Sequence, residues 1–321
     1  MKLLFILFLF FKSLSFAETS KTDCSSIDLR SNFFLVMRNQ KSLAWCFAHS
    51  AADNLQYTDR SQQQISAADI AINYSKSSYS KLVNLMQQDQ SDGDGNSPRQ
   101  FGLTRDAAQM IINEGGYCPE SYFPSEDWIK INNDNTAETV ELRLAVDQIY
   151  QLQNKIHSDV YTQENQLPFY YKFKHISKET FFKLLRNNKK ENLLEVFRKT
   201  ACDASRIPFK NKMKIVMKTK MFDLFSRLND FLSRNKSVSV DVYSQIFRNI
   251  DDNSGSIKNL HSVLLYGRQF NTLTNQCEYL IKNSYSESCS RYDSRLRCDR
   301  GYLWFPEKVL KKNMTSAVYF N

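Results

Sequence analysis

Apolar positions along this chain follow two periods, a helical one through roughly the first two thirds and an alternating one after that. Residues 3–11 are an unbroken apolar run that Lys12 interrupts. Cys46-Phe47-Ala48-His49-Ser50-Ala51-Ala52-Asp53-Asn54-Leu55 then sets small and apolar residues at helical spacing with no Gly or Pro among them, which predicts a helix with Cys46 at or near its N-terminus. Ile65-Ser66-Ala67-Ala68-Asp69 is a capping-box-like start for a second helix. A third is predicted over about residues 104–114, stopped by Gly115-Gly116. Residues 136–221 read as mostly helical and Lys-rich, most clearly over 137–156 and 179–199. Leu224, Phe225, Leu228, Phe231 and Leu232 fall on one face of a further amphipathic helix. The period then changes, since Ser237-Val238-Ser239-Val240-Asp241-Val242 alternates, as do parts of 261–266 and 278–283. Helices leading and strands following predict an α+β fold of two lobes.

The apolar start changes the compartment. Met1-Lys2, the short apolar run and Ser15-Phe16-Ala17 before a cut after Ala17 read as a secretory signal peptide over residues 1–17. The run is too short for a membrane span, which needs about 20 apolar residues, so the mature chain, 18–321, is expected to be secreted with no transmembrane segment. In an oxidising compartment seven cysteines leave one unpaired. Cys289 with Cys298 is the pair expected first. No C-x-x-C pair is present and only four histidines, so no structural metal site is expected. Asp92, Asp94 and Asn96 suggest a calcium loop, but Ser97 stands where glycine is needed and no Glu closes it. With 42% hydrophobic and 24% charged residues the chain is globular in composition, which sets aside disordered and multispanning classes. The formal charge of +9 is concentrated, because residues 171–220 hold fifteen Lys/Arg and four Asp/Glu, a local +11. Such a block can dock on an anionic surface or an acidic partner, or serve as a solvated helical face.

Cleaving a peptide bond with a thiol needs a thiolate, a base that later acts as acid, a group to orient that base, and donors for the oxyanion. A cysteine at a helix start has backbone N–H groups beneath it, and pairing with an imidazolium can bring its pKa to roughly 3 to 4. Arg38-Asn39-Gln40-Lys41-Ser42-Leu43-Ala44-Trp45-Cys46-Phe47-Ala48 resembles the nucleophile segment of the papain family of cysteine peptidases. Leu260-His261-Ser262-Val263-Leu264-Leu265-Tyr266-Gly267 is similar to that family's histidine strand, and Tyr279-Leu280-Ile281-Lys282-Asn283-Ser284-Tyr285 to its asparagine strand. The resemblance implies Cys46 as nucleophile, Gln40 in the oxyanion hole, His261 as base and acid, and Asn283 holding the imidazole. Phe101-Gly102 looks like the paired glycines of the substrate cleft with the first one lost, which implies that Gly102 binds substrate. Lys41 and Ala44 replace usual glycines, Leu43 a usual cysteine, Phe47 a Trp, and Tyr285-Ser286 a Trp-Gly pair.

The resemblance covers roughly 25–130 and 222–320. From Cys46 to His261 is 215 residues, against about 130 to 150 in the family, so the basic block reads as an insertion. The fold it implies is a papain-like domain, a helical lobe plus an antiparallel β-barrel-like lobe, with 136–221 as an inserted helical subdomain that tunes access or docking. The expected activity is endopeptidase cleavage of polypeptide substrates by a monomer without cofactor. A catalytically inactive scaffold that binds a protein or an anionic surface is the alternative, and acyl transfer by the same thiol a third. His49, three residues after Cys46, is a rival base, but side chains three apart on one helix seldom span a substrate.

Overall fold

The computed structural model describes residues 24–75, 103–132, 134–158, 167–170, 176–210, 215–218, 221–252, 254–255 and 259–320. The signal peptide, the loop with Asp92 and Asp94, Phe101-Gly102 and parts of the basic block lie outside the described residues.

Helix α1, Cys46–Asp59, is buried along almost its whole length. Its small residues make this possible, because two different faces pack against two different lobes. Phe47, Ala48, Ala51 and Leu55 join a helical core with Ile70 and Ala71 of α2, Ala67–Tyr74, and Ala107, Ala108 and Ile111 of α3, Thr104–Asn113. Ser66 caps α2 by accepting from the Asp69 N–H at 3.0 Å, and Gly115 after α3 has φ +78°, so both predicted boundaries are built as the sequence signals them. The polar face of α1 meets the sheet. Asn54 donates to Ser239 Oγ and the Val318 carbonyl and accepts from Ser237 Oγ, all within 3.1 Å.

The second lobe is an antiparallel sheet. Its central strands are β8, Val238–Tyr243, β9, Leu260–Asn271, and β10, Gln276–Lys282. On one flank β12, Tyr302–Pro306, and β11, Arg297–Asp299, follow β10; on the other β13, Met314–Phe320, and β7, Ile215–Lys218, follow β8. A short β1, Ile27–Asp28, adds to β9. The path runs β11-β12-β10-β9-β8-β13-β7 with no closure among the described residues, so the expected barrel-like lobe is an open sheet. The predicted amphipathic helix, Met221–Ser233, lays Leu228 and Leu232 on this sheet's core.

Residues 136–221 are less helical than expected. Residues 137–141, assigned to a helix by pattern, form strand β4, Ala137–Glu141, paired with β3, Asp127–Ile131, so that Trp128 faces Val140. A β-branched pair, Thr139 and Val140, and a partner strand outweigh the helical reading there. The stretch 179–199 is two helices, Lys178–Asn187 and Leu193–Cys202. The break falls at Asn188, whose backbone is extended and whose side chain donates to the Leu184 carbonyl at 2.9 Å. Phe181, Leu185, Phe197 and Ala201 of these helices share one core with Phe47 and Leu55 of α1. Cys202 is bonded to Cys118, and Arg198 pairs with Asp69 of α2 at 2.8 Å.

Candidate thiol-imidazole site

Six cysteines pair, Cys24 with Cys277, Cys118 with Cys202 and Cys289 with Cys298, and Cys46 is the free one. It is the first residue of α1, and no side chain caps this helix. The Ala48 and His49 N–H groups donate to the Trp45 carbonyl at 2.9 and 3.0 Å, and those of Cys46 and Phe47, which precede the first intrahelical bond, act on the sulfur together with the backbone N–H of Ser262. Ser262 follows His261 directly on β9, so the sulfur lies against the strand that carries the imidazole.

His261 Nε2 lies 2.8 Å from Asn283 Oδ1. The proton on this bond can be assigned. The Ser284 backbone N–H, which can only donate, reaches the same Oδ1 at 2.7 Å. Oδ1 is therefore an acceptor for both, Nε2 carries the hydrogen, and the lone pair of the neutral ring is on Nδ1. Nδ1 is thus the acceptor nitrogen of the ring. The Tyr285 ring stacks on the imidazole with centroids 4.7 Å apart, and its hydroxyl stands 3.3 Å from Nδ1.

Gln40 is brought to the same place by a two-segment splice. Its N–H donates to the Ser284 carbonyl at 2.8 Å, Ser286 N–H donates to the Arg38 carbonyl at 3.0 Å, and Asn39 bridges to Tyr285. Ser284 Oγ donates to Gln40 Oε1, which orients the amide, and Nε2 donates one of its two hydrogens to the Leu43 carbonyl at 2.8 Å. Among the described residues no acceptor meets the second hydrogen. Lys41 and Ser286 adopt left-handed backbone at φ +52° and +70°, a conformation that glycine favours.

Beneath these groups Asp53 of α1 binds Arg38 at 2.7 Å and Lys282 at 2.5 Å, all three buried. One carboxylate thus ties the helix of Cys46, the segment of Gln40 and the strand end of Asn283. Asp241 of β8 accepts from Ser262 Oγ and Ser316 Oγ. Sequence reasoning singles out neither aspartate. Each carries a signal, a charged residue inside an otherwise small or apolar buried period.

Electrostatics depart from the expected low thiol pKa. Burial outweighs the three N–H groups and pushes the Cys46 thiol up to about 11, with the Asp241 charge adding to the rise. Burial likewise lowers the His261 imidazole to about 4 against the opposing Asn283 bond. Both shifts favour the neutral forms, because Cys46 and His261 are buried and a charged pair would have to form there with little solvation. His49 is fully buried with neither ring nitrogen hydrogen-bonded, and burial lowers it to about 3. It is a buried core histidine for which burial favours the neutral form. Gly102 lies outside the described residues, and among the described residues no group of His, Cys, Asp or Glu is arranged to hold a metal.

No protein-family model matches the chain, and no curated protein matches it in sequence. Among solved structures it is similar in fold to the bromelain protease from Ananas comosus, at 11% identity and TM-score 0.46 over 92% of this chain and 98% of that one. A cysteine protease of Carica candamarcensis gives 12% identity and TM-score 0.46 over 92% and 98%. Digestive procathepsin L 3 of Tenebrio molitor larval midgut gives 14% and 0.47 over 94% and 72%.

Proposed function

We propose that this chain is a secreted, papain-like cysteine endopeptidase. The observation that supports it most is the convergence of one free cysteine at an uncapped helix start with an imidazole whose far nitrogen is held by Asn283. In the proposed reaction the Cys46 thiol gives its proton to His261 Nδ1 and the sulfur attacks the peptide carbonyl. The Cys46 backbone N–H and the spare Gln40 amide hydrogen hold the oxyanion. His261 then protonates the leaving amine, which leaves a thioester on Cys46. Water, deprotonated by His261, attacks the thioester, and the thiol is restored when the proton returns. The aligned N–H groups at the helix start favour the thiolate, provided that substrate binding brings polar groups or water to a site that is closed at rest.

The inactive-scaffold reading has its own observation, the neutral resting pair, with Cys46 only 7% and His261 only 3% exposed. Incubating the mature protein with denatured protein substrate and a thiol-directed epoxide separates the two. The peptidase reading expects cleavage, epoxide on Cys46, and loss of both in Cys46→Ala and His261→Ala. Cleavage that survives both substitutions, or no cleavage and no labelling in the unaltered protein, would sink it. Gln40→Ala is expected to lower kcat by about 100- to 1,000-fold, as loss of one oxyanion donor does.

Secretion is proposed from the leader-like first 17 residues and is supported by the three disulfides. Among the described residues no helix is long and apolar enough to cross a membrane. Residues 136–221 are proposed to tune access or docking, with Lys183, Lys189, Lys190, Lys199 and Lys210 exposed for an anionic partner. Arg198 and Arg206 are not available for this, since both are engaged by Asp69 and Glu114.

A further inference from the structure

The His261 ring has a hydrogen-bond partner at each nitrogen. Nε2–H donates to Asn283 Oδ1 at 2.8 Å, so Nδ1 of the neutral ring can only accept, and the group that stands 3.3 Å from it is the Tyr285 hydroxyl. A hydroxyl opposite an acceptor must donate. The phenol keeps its proton far above neutral pH, because burial pushes its pKa up and the Cys46 charge adds to the rise.

The place of this hydroxyl is fixed by its own ring and by its backbone. The ring stacks on the imidazole, with centroids 4.7 Å apart and planes 27° apart. The backbone belongs to the splice in which Gln40 N–H donates to the Ser284 carbonyl and Ser286 N–H to the Arg38 carbonyl, so Gln40 and Tyr285 reach the site on one support. The charges that act on the phenol are Cys46 and Tyr292, which raise its pKa, and Arg248 and Arg291, which lower it. Cys46 is the strongest of the four, and such an effect falls with distance, so sulfur and hydroxyl are neighbours. The sulfur also lies against the Ser262 N–H, one residue from His261.

Thiol and imidazole here face a shared obstacle, since burial favours the neutral form of each. A hydroxyl can accept one proton while giving up another, which neither a backbone N–H nor a carboxamide oxygen does. A phenol between sulfur and Nδ1 therefore suits both charge states. Before transfer it accepts from S–H and donates to Nδ1, and afterwards it donates to the thiolate and accepts from Nδ1–H.

We propose that Tyr285 is a catalytic residue, the proton relay between Cys46 and His261. The S–H bond breaks as its proton passes to the phenol oxygen, and the phenol O–H bond breaks as its proton passes to the Nδ1 lone pair. The S–H electron pair stays on sulfur, the phenol ends neutral, and thiolate and imidazolium stand on either side of it. The inference rests on the peptidase reading for what the thiolate then attacks. The hydrogen bonds to Nδ1 and to the thiolate do not depend on turnover.

Three readouts on the purified, oxidised mature chain test it. Nitrogen-15 NMR of labelled histidine reads the resting contact, with the His261 signals assigned by their loss in His261→Gln. His49 supplies the reference, since neither of its ring nitrogens is hydrogen-bonded. The His261 Nδ1 resonance is expected upfield of the acceptor nitrogen of His49, and Tyr285→Phe, which keeps the ring and removes the hydroxyl, is expected to move it downfield. If the two acceptor nitrogens resonate together in the unaltered protein, no hydroxyl meets Nδ1 and the relay is excluded, whether or not any variant folds. Iodoacetamide alkylation of Cys46 reads the thiolate. Loss of a hydrogen bond to a charged group is expected to slow it about ten- to a hundredfold in Tyr285→Phe at a fixed alkaline pH, displacing the pH profile upward by about one to two units. A loosened site would admit water and act in the opposite direction, so an equal or faster rate in Tyr285→Phe overturns the relay. In hydrolysis of a quenched peptide, Tyr285→Phe is expected to lower kcat by a similar factor with KM nearly unchanged. Cleavage with an unaltered kcat in Tyr285→Phe removes the relay and leaves the peptidase reading standing. The expected NMR and alkylation results with no peptide cleaved by the unaltered protein would remove the peptidase reading and leave Tyr285 as the proton relay of the pair.

Discussion

Neutral, buried histidines and a buried thiol give this protein a narrow pH range of full stability. His49 and His261 hold folded values of about 3 and 4 against 6.5 for an ordinary histidine. Between those limits the unfolded chain binds more protons than the folded one, so stability is complete above about pH 6.5 and falls as pH drops toward 4. Moving a pKa by one corresponds to about 1.4 kcal/mol, so the two residues together account for several kcal/mol. The drop in Tm from pH 7 to pH 5 is therefore expected to shrink by roughly half its histidine share in His49→Gln, and an identical drop in both proteins would refute the assignment. Cys46 acts at the other end. Its folded value of about 11 against 9.0 means that stability is present below pH 9 and is lost as pH rises toward 11. The same burial predicts that iodoacetamide alkylation of Cys46 in the resting protein climbs about tenfold per pH unit through the alkaline range. A rate that instead plateaus below pH 7 would mean that the thiolate-imidazolium pair already exists without substrate.

At the level of elements, α1 is held by one carboxylate that faces three segments. Asp53→Ala would leave Lys282 and Arg38 without their shared partner in a site closed to water, and breaking a buried pair in this way costs about 3 to 5 kcal/mol. Because Lys282 precedes Asn283 and Arg38 lies two residues before Gln40, the loss is expected to lower activity beyond the loss of stability, with the epoxide reaction of Cys46 as the check. If Asp53→Ala unfolds within 1 kcal/mol of the unaltered protein by denaturant titration, the three charges are not the clasp described. The helix itself was legible, since small residues without Gly or Pro leave few alternatives, and so were β8 to β10 from their alternation. What the pattern does not show is where the polar face of β8 points. Ser237, Ser239 and Asp241 alternate with valines as a solvent-facing strand would, yet they are buried, Ser237 and Ser239 because α1 brings Ser50 and Asn54 to meet them and Asp241 against Ser262, Ser316 and Thr104. Two polar faces that satisfy each other look like two wet faces when each is read alone. The candidate residues Cys46, His261 and Asn283 could be picked out in the sequence for a related reason, because they lie at element ends where local sequence sets position. Asp53 and Asp241 depend on which distant segment packs on them, and no local pattern carries that.

Over the whole molecule, residues 136–221 are fastened to the helical lobe by three independent kinds of contact. Apolar packing puts Ile149, Phe181, Leu185 and Phe197 in the same core as Phe47, Leu55 and Ile70. The Cys118–Cys202 bond spans 84 residues, a loop for which chain entropy alone contributes about 4 to 5 kcal/mol in the unfolded state. Arg198 and Arg206 neutralise Asp69, which is fully buried at the start of α2. Excising the block and closing the gap with a short Gly/Ser linker would expose one side of that core, free Cys118 and strand the Asp69 charge. Each of these is a known route to large destabilisation. The shortened chain, with Cys118→Ser to remove the thiol left over, is expected to be unfolded or to lose most of its stability at 25 °C. A chain that keeps its circular dichroism and melts within a few degrees of the parent would show that the block is a separable addition. Charge reversal at exposed positions is a gentler change to the same block and should have a different result. Lys183→Glu, Lys189→Glu, Lys190→Glu and Lys210→Glu touch side chains on the outer surface, so Tm should stay within a few degrees while retention on anionic vesicles falls and becomes less dependent on salt. Loss of folding in the charge-reversed protein would place these lysines inside the core architecture, and unchanged vesicle retention would remove the block's docking role.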